Sequence, residues 1–216
     1  MSELAAFWQA ELQRFIPDPA KALGEAQEYV CCPICQVLAG LPFGYFSVVS
    51  GRWPEDPDLR TVVIAAGGFC NHHTYILNGM QSNVAIARVF VDVLAALAEH
   101  PGEVAGVCAV CHLEQMATET LLGLLVARLQ DEAERTRFGE LFGLCYPHWR
   151  ALWAMDLPAP LREFLWKSQN AYAKQLQGHL QGFLDKNTIE LKWTRSQDEM
   201  RAARRALVKT AGNEGV

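Results

Sequence analysis

The chain has 216 residues, half of them apolar, and a formal net charge of −5. That length suits one medium domain or two small ones, and the apolar fraction supplies a core without covalent staples. The acidic balance argues against a general nucleic-acid binder, which needs a basic surface.

The opening Met1-Ser-Glu-Leu-Ala-Ala-Phe-Trp8 carries an acid in place of a basic n-region, so no secretory signal is expected. Leu4 to Phe15 reads as a short amphipathic helix ended by Pro17 and Pro19. From Gly40 to Asp58 the chain reads as irregular or strand-like, with Phe43-Gly-Tyr-Phe-Ser-Val-Val-Ser-Gly51 and Trp53-Pro54. Asp58 to Ala66 has helical composition and closes on Gly67-Gly68. Asn83 to Glu99 is apolar nearly all round and reads as a buried helix. Its most apolar part, Val84 to Ala98, is interrupted by Arg88 and Asp92, so no run reaches the roughly 18 uncharged residues of a membrane span. His100-Pro101-Gly102 then breaks the chain. Leu113 to Leu129 and Asp131 to Leu141 read as helices, and Pro158 and Pro160 start a long one running to about Leu184. Between Lys186 and Lys209 seven basic and three acidic residues give a local net charge of +4. A solvated face, or packing against the acidic remainder, fits this segment better than nucleic-acid contact, because no interleaved aromatic platform accompanies the charge.

The seven cysteines are Cys31, Cys32, Cys35, Cys70, Cys108, Cys111 and Cys145. A cytoplasmic location is the expectation, and there clustered cysteines are metal ligands or redox groups more often than disulfides. Their spacing holds a repeat. Cys32-Pro-Ile-Cys35 precedes Cys70-Asn-His-His73 with 34 residues between, and Cys108-Ala-Val-Cys111 precedes Cys145-Tyr-Pro-His148 with 33 between. The CxxC pairs are offset by 76 residues and the CxxH pairs by 75. Asp56 and Asp131, Arg60 and Arg135, Thr61 and Thr136, Gly68 and Gly143, and Leu77 and Leu152 keep the offset of 75. A CxxC turn lets two thiolates approach one ion, and CxxH at a helix start places a thiolate and an imidazole one turn apart. Cys₃His is a closed structural zinc set, and thiolate and imidazole suit zinc by softness and geometry.

The expected ligands are therefore Cys32, Cys35, Cys70 and His73 at one site, and Cys108, Cys111, Cys145 and His148 at the other. Pairing within a repeat is the default and exchange of halves the alternative. Cys31 is unmatched in the second copy and reads as a small packed thiol. His72, facing Pro147 in register, His100, His112 and His179 are read as structural or solvated, and the tryptophans as core. The fold class expected is all-α: two tandem pseudo-symmetric repeats, each organised around a Cys₃His site, with the helices from Asn83 and Pro160 side by side. The divisions are an N-terminal helix over 1–27, repeats over 28–102 and 103–190, and a basic C-terminal segment over 191–216, all in one body.

Cys-Pro-Ile-Cys with Gly-Phe-Cys-Asn-His-His, and Cys-Ala-Val-Cys-His-Leu-Glu with Gly-Leu-Cys-Tyr-Pro-His, resemble an uncharacterised bacterial family of cysteine-rich helical proteins carrying a duplicated CxxC…GxCxxH unit. The similarity runs over residues 28 to 210 and matches at all eight motif positions; Cys31 and the aromatic segment from Phe43 to Trp53 depart from the pattern. The resemblance implies the ligands and the fold and assigns no activity.

Three functions fit these residues. One is a helical interaction module held by two zinc ions, with another protein as partner. The second is an electron carrier or redox sensor with two iron–sulfur clusters, for which histidine is a minority ligand. The third is a thiol–disulfide enzyme using Cys32 and Cys35, but no βαβ pattern accompanies the CxxC. No Ser-His-Asp set, carboxylate pair or phosphate-binding glycine loop is visible, so enzymatic activity is not the expectation.

Overall fold

A computed structural model describes residues 3–26, 31–100 and 106–213, and every regular element among them is helical. The chain forms two compact units, one from residues 1–19 and 38–120 and the other from 20–37 and 121–216. Each unit therefore draws on both sequence copies. The break expected at His100-Pro101-Gly102 is described only at His100, which ends a helix. Pro101 and Gly102 lie outside the described residues.

In the first unit, α1 (Glu3–Phe15) packs on α4 (Leu41–Arg52), and α4 also packs on α6 (Asn71–Met80) and α7 (Asn83–Glu99). The helix α5 (Pro57–Ala65) lies against α7. The strand-like reading of 40–58 is wrong. Pro42 sits in the first turn of α4, where its missing N–H costs nothing, and Leu41, Tyr45, Phe46, Val49 and Trp53 recur at helical spacing and are all buried. Aromatic and β-branched residues favour strands when half-exposed, and burial overrides that preference here. The Phe46 ring meets Phe69 edge-on at 5.0 Å, a contact worth about 0.5–1.5 kcal/mol beyond area burial.

One ion cluster ties three helices of this unit. Glu11 of α1 is 1% exposed and accepts from both guanidinium nitrogens of Arg52 at 2.7 and 2.8 Å. Arg52 also pairs with Asp56, whose side chain caps α5 by accepting from the Leu59 N–H. The expectation for α7 needs correcting as well. It buries Val89 and Val93 but leaves Val84, Val91 and Leu94 at 70%, 63% and 61% exposure. Its composition is apolar on both faces, and among the described residues only one face is packed.

The second unit holds α2 (Pro19–Ala26), which sequence reading missed, and α3 (Pro33–Leu38). With them are α9 (Glu132–Glu140), α10 (Tyr146–Trp153), α11 (Ala159–Asp185) and α12 (Gln197–Ala211). The helix α8 (Ala109–Arg128) starts in the first unit and ends in the second, burying Leu113, Ala117, Leu121 and Leu125 along one stripe. The basic segment is built into this unit. A capping box between Ser196 and Glu199 starts α12, which packs on α10 and α11 and buries Ala202 and Lys209. Arg201 and Arg204 stay exposed, and Arg205 pairs with Asp198.

The stretch Pro33–Arg52 is long and apolar enough, by length and composition, to cross a membrane, which the sequence reading overlooked. It is divided here into α3 and α4, with much of its surface buried inside the protein. The tryptophans split: Trp8, Trp53 and Trp149 are core, whereas Trp166 and Trp193 are 55% and 81% exposed.

Candidate metal centres

The aspartate, threonine and glycine pairs matched across the 75-residue offset do the same local work in both copies. Asp56 caps α5, and Asp131 caps α9 by accepting from the Ala133 and Glu134 N–H groups. Thr61 and Thr136 each donate to the carbonyl four residues back, at 2.8 and 3.0 Å. Gly68 and Gly143 take positive φ, +101° and +70°, a region costly to any residue with a Cβ. These turns deliver Cys70 and Cys145 to the N-caps of α6 and α10 with nearly identical backbone, φ/ψ −64°/168° and −66°/162°. His73 and His148 follow one turn on, and both are buried.

The eight expected ligands meet in two groups of four, and the halves are exchanged. Cys32 and Cys35 meet Cys145 and His148 in the second unit, while Cys108 and Cys111 meet Cys70 and His73 in the first. Pairing within a repeat, the default from sequence, is therefore corrected. A chain contact explains the exchange in the first unit. The Gly106 N–H donates to the Ala65 carbonyl at 3.0 Å, and a Cβ on Gly106 would lie 2.7 Å from the Ala66 nitrogen. Only glycine lets the approach to Cys108 lie on the end of α5, five residues before Cys70.

In each set the histidine Nδ1 faces all three sulfurs. His73 Nδ1 lies 3.3, 3.5 and 3.4 Å from the sulfurs of Cys70, Cys108 and Cys111, and the Cys70 and Cys111 sulfurs are 3.7 Å apart. His148 Nδ1 lies 3.4, 3.4 and 3.1 Å from Cys32, Cys35 and Cys145, with Cys35 and Cys145 3.6 Å apart. Within a set all ligand atoms fall inside 4.8 Å of one another. Metal–sulfur and metal–nitrogen bonds of about 2.3 and 2.0–2.1 Å would give tetrahedral edges of about 3.8 Å for S···S and about 3.5 Å for S···N. The donor chemistry and the edges both fit a metal ion.

The protons of each set are already shared unequally. Burial opposes charge on His73, but Cys108 and Glu114 outweigh it and raise its pKa to about 10. His148 rises to about 9, against burial, through Cys145 and Cys32. Burial likewise opposes ionisation of Cys108, yet His73 and the backbone N–H groups of Cys111 and Cys70 bring it down to about 6. Cys111 is raised by burial and by the Cys108 charge. An ion entering the first set displaces at least the imidazolium proton and the Cys111 proton.

The two surroundings differ. His73 Nε2 is buried, and the Glu114 carboxylate lies 3.4 Å from it without hydrogen-bond geometry. Carboxylates in that position orient metal-bound histidines. Sequence reading missed Glu114, although its place one turn after Cys111 was a usable signal. In the second unit the C-terminus of α12 closes over the thiols: a Cβ on Gly212 would stand 3.3 Å from the Cys35 sulfur and 3.7 Å from that of Cys145. Lys209, buried nearby, donates to the Phe142 carbonyl at 2.7 Å and to Gln169 Oε1 at 3.0 Å, which pins the helix. Burial depresses its pKa to about 8.

Cys31 joins neither group. It is partly exposed and donates weakly to Gln36 Oε1 at 3.5 Å, so it is not the packed thiol expected. His72 and His100 are exposed, His179 is half-buried, and His112 lies against the Trp8 ring at 4.4 Å. No family model matches the chain, and no curated protein or solved structure does.

Proposed function

We propose that this protein is a zinc-stabilised helical module, with Cys32, Cys35, Cys145 and His148 holding one ion and Cys70, His73, Cys108 and Cys111 the other. The convergence of each donor set within 4.8 Å carries this reading. In an iron–sulfur cluster the thiolates bind irons of a multi-atom core and spread around it. Four donors packed edge to edge favour one ion instead. Three thiolates and an imidazole fill a tetrahedron and leave no position for substrate water, so the role is structural. Such an ion joins chain segments far apart in sequence and holds each unit in its fold.

The exposed apolar side chains of α7 and of the α11–α12 connection, Ile189 and Trp193 among them, favour a protein partner over nucleic acid. A reducing compartment, the cytoplasm, suits seven cysteines without a disulfide. The equivalent caps and turns around the two CxxH motifs support descent of the two sequence copies from one duplicated segment, as in the cysteine-rich family the sequence resembles. Metal analysis of protein purified without oxygen tests the central point. Two equivalents of zinc without iron are expected, and cobalt substitution should give tetrahedral thiolate spectra. Brown protein containing iron and acid-labile sulfide refutes the zinc reading and moves the function to electron transfer.

A further inference from the structure

The two thiol sets are not equally reachable. Cys32, Cys35 and Cys145 are 0%, 1% and 0% exposed, beneath the Gly212 backbone and the pinned end of α12. In the first unit only Cys108 is buried, while Cys70 and Cys111 are partly exposed with their sulfurs 3.7 Å apart. Their sequence neighbours His72, Tyr75 and Val107 are themselves exposed, and among the described residues none is placed over these sulfurs as Gly212 is over those of the second unit.

We propose that Cys70 and Cys111 form a modification site: a thiol pair that peroxide converts to a disulfide, opening the first unit's metal centre while the second stays reduced. One sulfur attacks a peroxide oxygen, and the O–O bond breaks to leave a sulfenic acid and hydroxide. The other sulfur then attacks the sulfenic sulfur, and the S–O bond breaks to release a second hydroxide. Two thiols and one peroxide thus give one disulfide and two waters, the thiol protons ending on the hydroxides. A disulfide removes two of four donors from the first set, and the ion it holds is lost. The reaction reads oxidant into the state of one unit, a function beyond holding the fold. It rests on the metal-centre reading only for the loss of the ion, since the order of thiol reaction is argued from exposure to the oxidant.

The test treats the full-length purified protein with substoichiometric hydrogen peroxide, traps remaining thiols with iodoacetamide and maps peptides by mass. The expected product is a Cys70–Cys111 disulfide, with Cys32, Cys35 and Cys145 oxidised at least about tenfold more slowly. In unoxidised protein, alkylation should reach Cys70 and Cys111 before those three. Metal released in the same samples is counted with a chromogenic chelator, and one equivalent should leave with the disulfide. A Cys32–Cys35 disulfide formed first, or equal rates in the two sets, overturns the proposal. Iron in place of zinc refutes the metal assignment above, while the order of thiol reaction still decides the present one. Cys111→Ser should abolish the disulfide and leave Cys32, Cys35 and Cys145 as slow to alkylate as before; a disulfide at Cys70 that persists in this variant also overturns it.

Discussion

Exchange of halves between the sequence copies has a consequence that separates it from pairing within a copy. Cys32→Ser/Cys145→Ser removes two ligands from one centre, whereas Cys32→Ser/Cys70→Ser removes one from each. Under the observed pairing the first double variant keeps one zinc ion and the second keeps none after dialysis against a strong chelator. Native mass spectrometry reads the stoichiometry directly. The stability changes follow the same logic: the Cys32 and Cys145 substitutions should be strongly non-additive, and the Cys32 and Cys70 substitutions near additive. The two centres also differ in what they close. An ion in the second unit would join residues 110 to 116 apart, and one in the first would join the CxxC and CxxH over 35 to 41. The threefold longer loop adds about 1 kcal/mol of closure entropy, so loss of the second centre should cost about that much more in denaturant unfolding. If Cys32→Ser/Cys145→Ser loses both ions while Cys32→Ser/Cys70→Ser retains one, the exchanged pairing is refuted.

Gly106→Ala forces a Cβ into the backbone at Ala65 and Ala66, and should lower zinc affinity at the first unit's centre only, as measured by chelator competition. Gly212→Ala places a Cβ where φ is +90° and ψ −176°, a region open essentially to glycine alone. It should cost about 1–3 kcal/mol in urea unfolding without changing the first centre. Glu11→Ala strands the Arg52 guanidinium, which keeps Asp56, and should cost about 3 kcal/mol, the low end for breaking a buried ion pair. Zinc affinity should fall as pH falls. His73 and His148 hold protons up to pH about 10 and about 9, so at neutral pH an entering ion must displace an imidazolium proton as well as those of the raised thiols. Displacing at least two protons gives a loss of about 100-fold or more per pH unit, and a pH-independent affinity would refute these proton assignments.

Much of the site was legible in the sequence because it is locally encoded. The ligand types, the CxxC and CxxH spacings and the glycine turns before Cys70 and Cys145 all act within a few residues and recur at an offset of 75 or 76, as does the Asp56–Asp131 pair, whose capping role the structure added. The approximate extents of α1, α5, α7, α9 and α11 were readable for the same reason, from proline, glycine, composition and periodicity signals. Tertiary structure decided what local chemistry leaves degenerate. Each CxxC half can complete either CxxH half with the same donors, so the pairing is chosen by non-local packing, seen most directly where Gly106 lies on the end of α5. The helical state of Leu41–Arg52 was likewise decided by burial of its aromatic face, against the strand preference of the residues concerned. The apolar faces of α7 are alike in composition, and only packing selects Val89 and Val93 for the interior over Val91 and Leu94. The unequal shielding of the thiols depends on where α12 ends, more than 60 residues beyond Cys145, a relation that no local motif expresses.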